Sequence, residues 1–140
     1  MNLNWLDVSR VTKMEGLFSS ESDSELYGVD TSRWDISRWD VSSVTSMAYM
    51  FARSKFNGDI SAWDVSSVTD MEYMFGRSSF NGDISAWNVS HVSNMYRMFN
   101  FSKMNRDLSS WNVSNAYNYQ MFSETPMQNK REWWPKGYNG

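Results

Sequence analysis

A 24-residue repeat is the feature of this chain that most limits its possible folds. Tryptophan recurs at Trp39, Trp63, Trp87 and Trp111, and the residues around it keep the same phase. A period of this length is typical of proteins whose repeats stack, because one repeat cannot bury its own apolar edge. The positions that keep phase include three further columns: Val41, Val65, Val89, Val113; Met47, Met71, Met95; and Phe51, Phe75, Phe99.

The first half of each repeat predicts a short strand. Trp63-Asp64-Val65 alternates apolar and polar residues, which places Trp63 and Val65 on the buried side and Asp64 outside. Asn57-Gly58 and Asn81-Gly82 are turn signals that return the chain towards the next strand.

The second half of each repeat predicts a short helix. Thr69 and Glu72 have the spacing of a capping box, with Thr69 as the N-cap. Met71, Met74 and Phe75 follow at helical spacing and give one apolar face. The predicted fold class is therefore an α/β repeat: a short solenoid with parallel strands on one face and short helices on the other.

The repeats also predict the domain organisation, which is that of one domain of 140 residues. Residues 1–38 form a divergent first repeat and cap with a polar, acidic insertion near 19–33. Residues 39–122 hold the 24-residue repeats, and residues 123–140 form a C-terminal cap rich in tryptophan.

Composition excludes several classes of function. The net charge is −3 and the basic residues are scattered, which argues against a nucleic-acid partner. The chain has no cysteine, so disulfides, thiolate nucleophiles and cysteine zinc sites are excluded. No apolar run approaches the length of about 20 residues that a membrane span needs. The N-terminal residues do not have the pattern of a signal peptide.

The motif Trp63-Asp-Val-Ser-Ser-Val-Thr-Asp-Met-x-x-Met-Phe, followed by Phe80-Asn-Gly-Asp-Ile-Ser, resembles a known repeat. It is similar to the BspA-type leucine-rich-like repeat, a repeat of unknown function in mycoplasma and bacterial surface proteins. The resemblance covers about Val8 to Phe122. It implies a right-handed leucine-rich-like solenoid, a place at the cell surface or outside the cell, and a role in adhesion and protein contact, with no catalytic residues.

One candidate binding surface is the concave face of the predicted sheet. If Trp63 faces inward, the residues beside the tryptophan column face outward and stack from one repeat to the next. The alternative is that this column simply stabilises the repeats through hydrogen-bonded ladders. Two stacked carboxylates are too few ligands for a calcium site. The candidate residues are Arg38, Asp40, Asp64, Asn88 and Asn112.

A second candidate surface is the flank of the predicted helices, where Tyr49, Tyr73 and Tyr96 vary on a constant scaffold. The alternative is that these rings only shield the flank. Asp59, which recurs as Asp83, is interpreted as a turn cap. His91 is the single histidine, so a metal site or a catalytic pair built on it is not expected.

These observations predict a non-enzymatic binding module without a cofactor or a metal. Its partner would be a protein or a glycan, or copies of the chain itself. Two alternatives remain open. The chain could be a structural subunit of a virion, filament or sheath, or an ice-binding protein that uses its column of serines, Ser42, Ser66, Ser90 and Ser114.

Overall fold

The computed structural model describes residues 1–140, and almost none of the chain forms regular secondary structure. Two 3₁₀ helices, Pro126–Asn129 and Arg131–Trp133, are its only helices. The predicted α/β solenoid, with parallel strands on one face and short helices on the other, is therefore wrong. Isolated parallel bridges take the place of a sheet: Asn2↔Asp35, Lys13↔Ser46, Ser46↔Asp70, Asp70↔Asn94, Asn94↔Tyr117 and Asn112↔Lys136.

Tight turns replace the predicted helices and strands. The Met74 N–H donates to the Met71 carbonyl, three residues back, and the Ser78 N–H donates to Phe75 in the same way. Trp63 bonds back to Ile60 identically. Successive turns of this kind place an apolar residue at each end, so they produce the same spacing of three as a helix. The apolar spacing is present in the structure, but it belongs to turns and not to the predicted helix.

Side-chain oxygens form the corners between these turns. The Asp59, Asp64 and Asp70 carboxylates each accept the backbone N–H two residues further on, and the Ser78 hydroxyl does the same. Such Asx and Ser/Thr turns direct the chain without needing a helix or a strand. The prediction that Asp59 caps a turn is confirmed.

Two local predictions are wrong for a related reason. Thr69 is not a helix N-cap, since its hydroxyl donates to the Thr45 carbonyl of the preceding repeat at 3.2 Å. Asn57-Gly58 does not lie in a turn. Instead, the Asn57 side chain accepts the Asn81 N–H at 3.0 Å, and Asn81 accepts Asn105 N–H at 2.8 Å. Both side chains bond between repeats and not within one.

Backbone hydrogen bonds join each repeat to the next. The N–H groups of Met71, Tyr73 and Phe75 donate to carbonyls of the following repeat at 2.9–3.0 Å. Because these donors point along the stack, they are not free to bond four residues back, as an α-helix requires.

The core consists of side chains stacked in columns. The rings of Phe51, Phe75 and Phe99 lie parallel, with centroids 5.5 Å apart. Trp63 and Trp87 are parallel at 6.5 Å, and each indole N–H donates to an isoleucine carbonyl of the preceding repeat. The prediction that residues 24 positions apart lie against each other is confirmed for these columns.

The first and last parts of the chain depart from the repeat. Thr31 returns the insertion near 19–33 to the core, where its hydroxyl lies 3.1 Å from that of Ser54. At the other end, Tyr138 meets the ring of Phe122 edge to face at 5.2 Å, and Lys136 bridges to Asn112. None of the helices has the length and apolar character needed to cross a bilayer.

Candidate binding site

A groove of about 590 Å³ runs across the flank of the stacked repeats. Its volume lies in the range of sites that bind small ligands or peptide side chains. We call it the flank groove, and its walls come from successive repeats. It is lined by Tyr49, Arg53, Glu72, Tyr73, Arg77, Tyr96, Arg97, Asn100, Phe101, Gln120, Ser123, Glu124 and Gln128.

Left-handed backbone conformation is concentrated in the flank groove. A residue with a Cβ adopts a positive φ at a cost of about 1–2 kcal/mol, and glycine adopts it freely. The corresponding position of the first repeat is Gly16, with φ of 65°. Every other residue with a positive φ that is not glycine lines the groove: Tyr49, Arg53, Tyr73, Arg77, Arg97, Phe101, Gln120 and Glu124.

The turns explain these conformations. The Tyr73 N–H donates to the next repeat while its carbonyl accepts Gly76 N–H, so the backbone must reverse at Tyr73. The reversal also directs the side chain outward, away from the core formed by Met74 and Phe75. The repeat therefore presents two side chains per unit on this flank, at the positions of Tyr73 and Arg77.

Three tyrosines line the flank groove. Tyr49 and Tyr73 have ring centroids 5.3 Å apart, and Tyr96 stacks on Tyr117 at 5.6 Å. Partial burial, together with the carboxylate of Glu72, raises the pKa of Tyr49, so its hydroxyl remains a hydrogen-bond donor at neutral pH. The structure thus brings the three predicted tyrosines, Tyr49, Tyr73 and Tyr96, to one site.

Three arginines line the flank groove as well. Arg53 makes an ion pair with Glu21 at 2.8 Å. The Arg77 guanidinium lies 4.4 Å from the centre of the Phe101 ring, an arrangement that holds the cation on the aromatic face. Arg97 lies over Tyr96 at 5.0 Å.

The predicted concave-face residues do not take part in the flank groove. Asp40 and Asp64 are exposed, and each carboxylate accepts the N–H and the hydroxyl of the serine two residues on. These bonds lower the pKa of both carboxyls, although for Asp40 the neighbouring Asp64 charge acts in the opposite direction. Asn88 and Asn112 form the same corner with amide oxygens.

The serine column is engaged in these corners as well. The hydroxyls of Ser42 and Ser66 donate to Asp40 and Asp64, so they do not form a free hydroxyl array. Arg38, the remaining candidate of this face, is exposed, and its backbone N–H donates to Asn4 at 2.8 Å. Four of the five concave-face candidates thus form corners of turns, and none of the five lines the flank groove.

Sequence reasoning missed Arg53, Arg77 and Phe101 as residues of the site. The signal was present, since Arg53 and Arg77 are separated by one repeat and Phe101 follows at the same interval. Their importance depends on the positive φ that directs them to the flank, and the periodicity alone does not reveal that conformation.

A comparison with known protein families identifies the family of this chain. The model of the family described as "Mycoplasma protein of unknown function, DUF285" matches residues 1–38 and 23–134. The chain belongs to this family. The match covers the residues of the flank groove, and the family description assigns no function to them. The closer relation to BspA-type repeats stays a prediction. Neither the search of curated proteins nor the search of solved structures found a match.

Proposed function

We propose that the chain is a non-enzymatic binding module that holds a protein partner in the flank groove. The strongest support is that residues with a strained, left-handed backbone are the same residues that line the groove. All eight residues that are not glycine and have a left-handed backbone line one groove, although glycine would fit each position at lower cost. Strained backbone of this kind clusters at binding and active sites.

The chemistry of the groove supports a protein partner. Tyrosine and arginine are enriched at the centres of protein interfaces, where truncating a few of them removes most of the affinity. Exposed rings continue beyond the groove, since Tyr117 is 59% and Tyr119 is 52% exposed. Contiguous exposed aromatic surface on a soluble domain marks a contact site more often than chance exposure does.

A peptide display library panned against the purified chain tests this function. Selected peptides are then measured on a variant that carries Tyr49→Gly and Tyr73→Gly. Glycine removes the rings but keeps the positive φ of 60° and 51°, so the variant retains its fold. We expect affinity to fall at least about tenfold, the effect of losing interface hot spots.

The matched control carries Asp40→Asn and Asp64→Asn. Asn88 and Asn112 already form the same corner, so this exchange keeps the turns and alters only the other candidate face. Binding that survives in the control and fails in the glycine variant supports the flank groove. If the two variants bind the selected peptides equally, or if only the control loses peptide binding, the proposal is overturned.

A further inference from the structure

We infer that the flank groove receives an acidic segment of the protein partner, whose side-chain carboxylates bind Arg77 and Arg97. This inference rests on the proposed function and specifies the chemistry of the ligand. It follows from the charged side chains of the groove and the hydrogen-bond partners that they have.

The guanidinium N–H groups of Arg77 donate no hydrogen bond within the protein. Its guanidinium lies against the Phe101 ring at 4.4 Å, and no side chain or carbonyl of the protein accepts its N–H groups. A guanidinium with one face on a ring still presents its edge, and a carboxylate can bind that edge through two parallel hydrogen bonds. The aromatic contact holds the group in place before a ligand arrives.

The Arg97 guanidinium also lies against an aromatic ring, and only one of its three nitrogens donates a hydrogen bond within the protein. Its Nε–H donates to the Gln120 Oε1 at 2.7 Å, and its guanidinium lies 5.0 Å from the Tyr96 ring centre. The two terminal nitrogens have no acceptor in the protein. Arg97 belongs to the repeat after that of Arg77, where it holds the position of Tyr73, and both arginines line the same groove.

Of the other charged residues at the groove, Arg53 and Glu72 have partners within the protein, and only the Glu124 carboxylate has none. Arg53 is paired with Glu21, and this is the one ion pair of the chain. The two oxygens of Glu72 accept hydrogen bonds from the Tyr49 hydroxyl at 3.3 Å and from the Asn94 amide at 3.2 Å. The unpaired groups of the groove are therefore two guanidinium groups, Arg77 and Arg97, against one carboxylate, and a ligand with anionic acceptors complements the two cations.

The dimensions suit an extended polypeptide. Groove residues come from successive repeats stacked at about 4.8 Å, so the groove extends for roughly 14 Å along the stack. About four extended residues cover that length, and alternate side chains on one face are about 7 Å apart. Carboxylates two residues apart lie on the same face of an extended segment and can thus reach Arg77 and Arg97 together.

Fluorescence anisotropy with labelled synthetic peptides tests this inference. One peptide alternates glutamate with tyrosine, and its partner replaces each glutamate with glutamine. We expect the glutamate peptide to bind, the glutamine peptide to bind at least about tenfold more weakly, and Arg77→Gln with Arg97→Gln to remove the difference. Raising sodium chloride from about 50 mM to about 500 mM should also weaken the glutamate complex.

Arg10→Gln serves as the control, because Arg10 is exposed in the first repeat and lies outside the groove. Loss of binding in the control as well as in the Arg77 and Arg97 variant would overturn the inference as non-specific attraction. Equal binding of both peptides at the groove would overturn the inference and leave the proposed function intact. If polygalacturonate binds and neither these nor any displayed peptide does, the ligand is an acidic glycan, and both proposals fail.

Discussion

At the scale of single residues, the left-handed backbone conformations lie on the surface that we propose as the binding site. Arg77 has a φ of 54° and is exposed, so neither core packing nor a protein hydrogen bond to its side chain requires an arginine there. The first repeat uses Gly16 at a left-handed position of the same flank. The residues of the flank groove thus lower the stability of the fold that presents them, which is a common balance at binding sites.

Replacing Arg77 with glycine tests that balance. We expect Arg77→Gly to leave the free energy of unfolding unchanged or to raise it by up to about 1 kcal/mol, because relief of the left-handed strain offsets the entropy of glycine. Peptide binding should fall in the same variant. Urea denaturation measures the first effect. Lys103→Gly is the control at an exposed position without a positive φ, and it should be destabilising. A clear loss of stability in Arg77→Gly would contradict the strain argument.

The corner aspartates predict a dependence of stability on acid. Hydrogen bonds from Ser66 lower the pKa of Asp64 in the folded protein, and Ser61 does the same for Asp59. A lowered pKa contributes stability that is present above the unfolded pKa of about 3.9 and is lost as pH falls through the folded value. Asp64→Asn should therefore reduce the loss of thermal stability below about pH 4.

Carboxyl NMR titration measures the same effect directly. The pKa of Asp64 should lie below the ordinary aspartate value and should rise in Ser66→Ala, since the first cause of the shift is the serine hydroxyl. An unchanged pKa in Ser66→Ala would show that the hydroxyl bond is not the cause.

At the scale of elements, the repeats are built from turns and not from helices or strands. A four-residue turn has apolar ends three positions apart, a spacing that a helix shares, and the acceptors of the backbone N–H groups distinguish the two. Met71 N–H bonds to the following repeat, so a helix at Met71 would break a ladder that joins neighbouring repeats. The sequence therefore predicted which residues are buried in this element, and it did not predict the element itself.

The segment from 123 to 140 covers the last repeat, and Gly137 is its critical position. Gly137 has a φ of 93°, and a Cβ there would clash with the Ser114 backbone. We expect Gly137→Ala to lower the free energy of unfolding by about 2 kcal/mol or more, because strain and steric overlap add. Gly28→Ala, with a φ of 75° but open space around it, should cost only about 1 kcal/mol. Thermal denaturation of both variants gives the comparison, and equal losses would contradict the clash.

At the scale of the whole molecule, the stack has a direction. The N–H of Thr69 donates to Thr45 of the preceding repeat, but along the flank the N–H groups at the positions of Met71, Tyr73 and Phe75 donate to the following repeat. The last repeat is therefore left with flank donors that no further repeat accepts. Tyr138 and Gln128 accept the N–H groups of Phe122 and Glu124, whereas Asn118 and Gln120 have no such partner. One end of the stack is thus partly closed by side chains.

Amide hydrogen exchange tests that direction. The amides of Met71 and Phe75, bonded within the middle of the stack, should be the slowest to exchange, because only global opening exposes them. The amides of Asn118 and Gln120 should exchange fastest among the corresponding positions. Uniform protection of all four amides would contradict the hydrogen-bond ladder.

The sequence by itself determined the period of the molecule, the columns that share a core, and the outward position of Asp64 and the tyrosines. These features depend on which residues are apolar and how far apart they lie, and spacing survives a change from helix to turn. Tertiary structure alone decided the turn geometry and the flank groove. Whether an N–H bonds within its own segment or to the next repeat depends on what lies beside it, and that choice sets the sign of φ at Tyr73 and Arg77 and brings their side chains together.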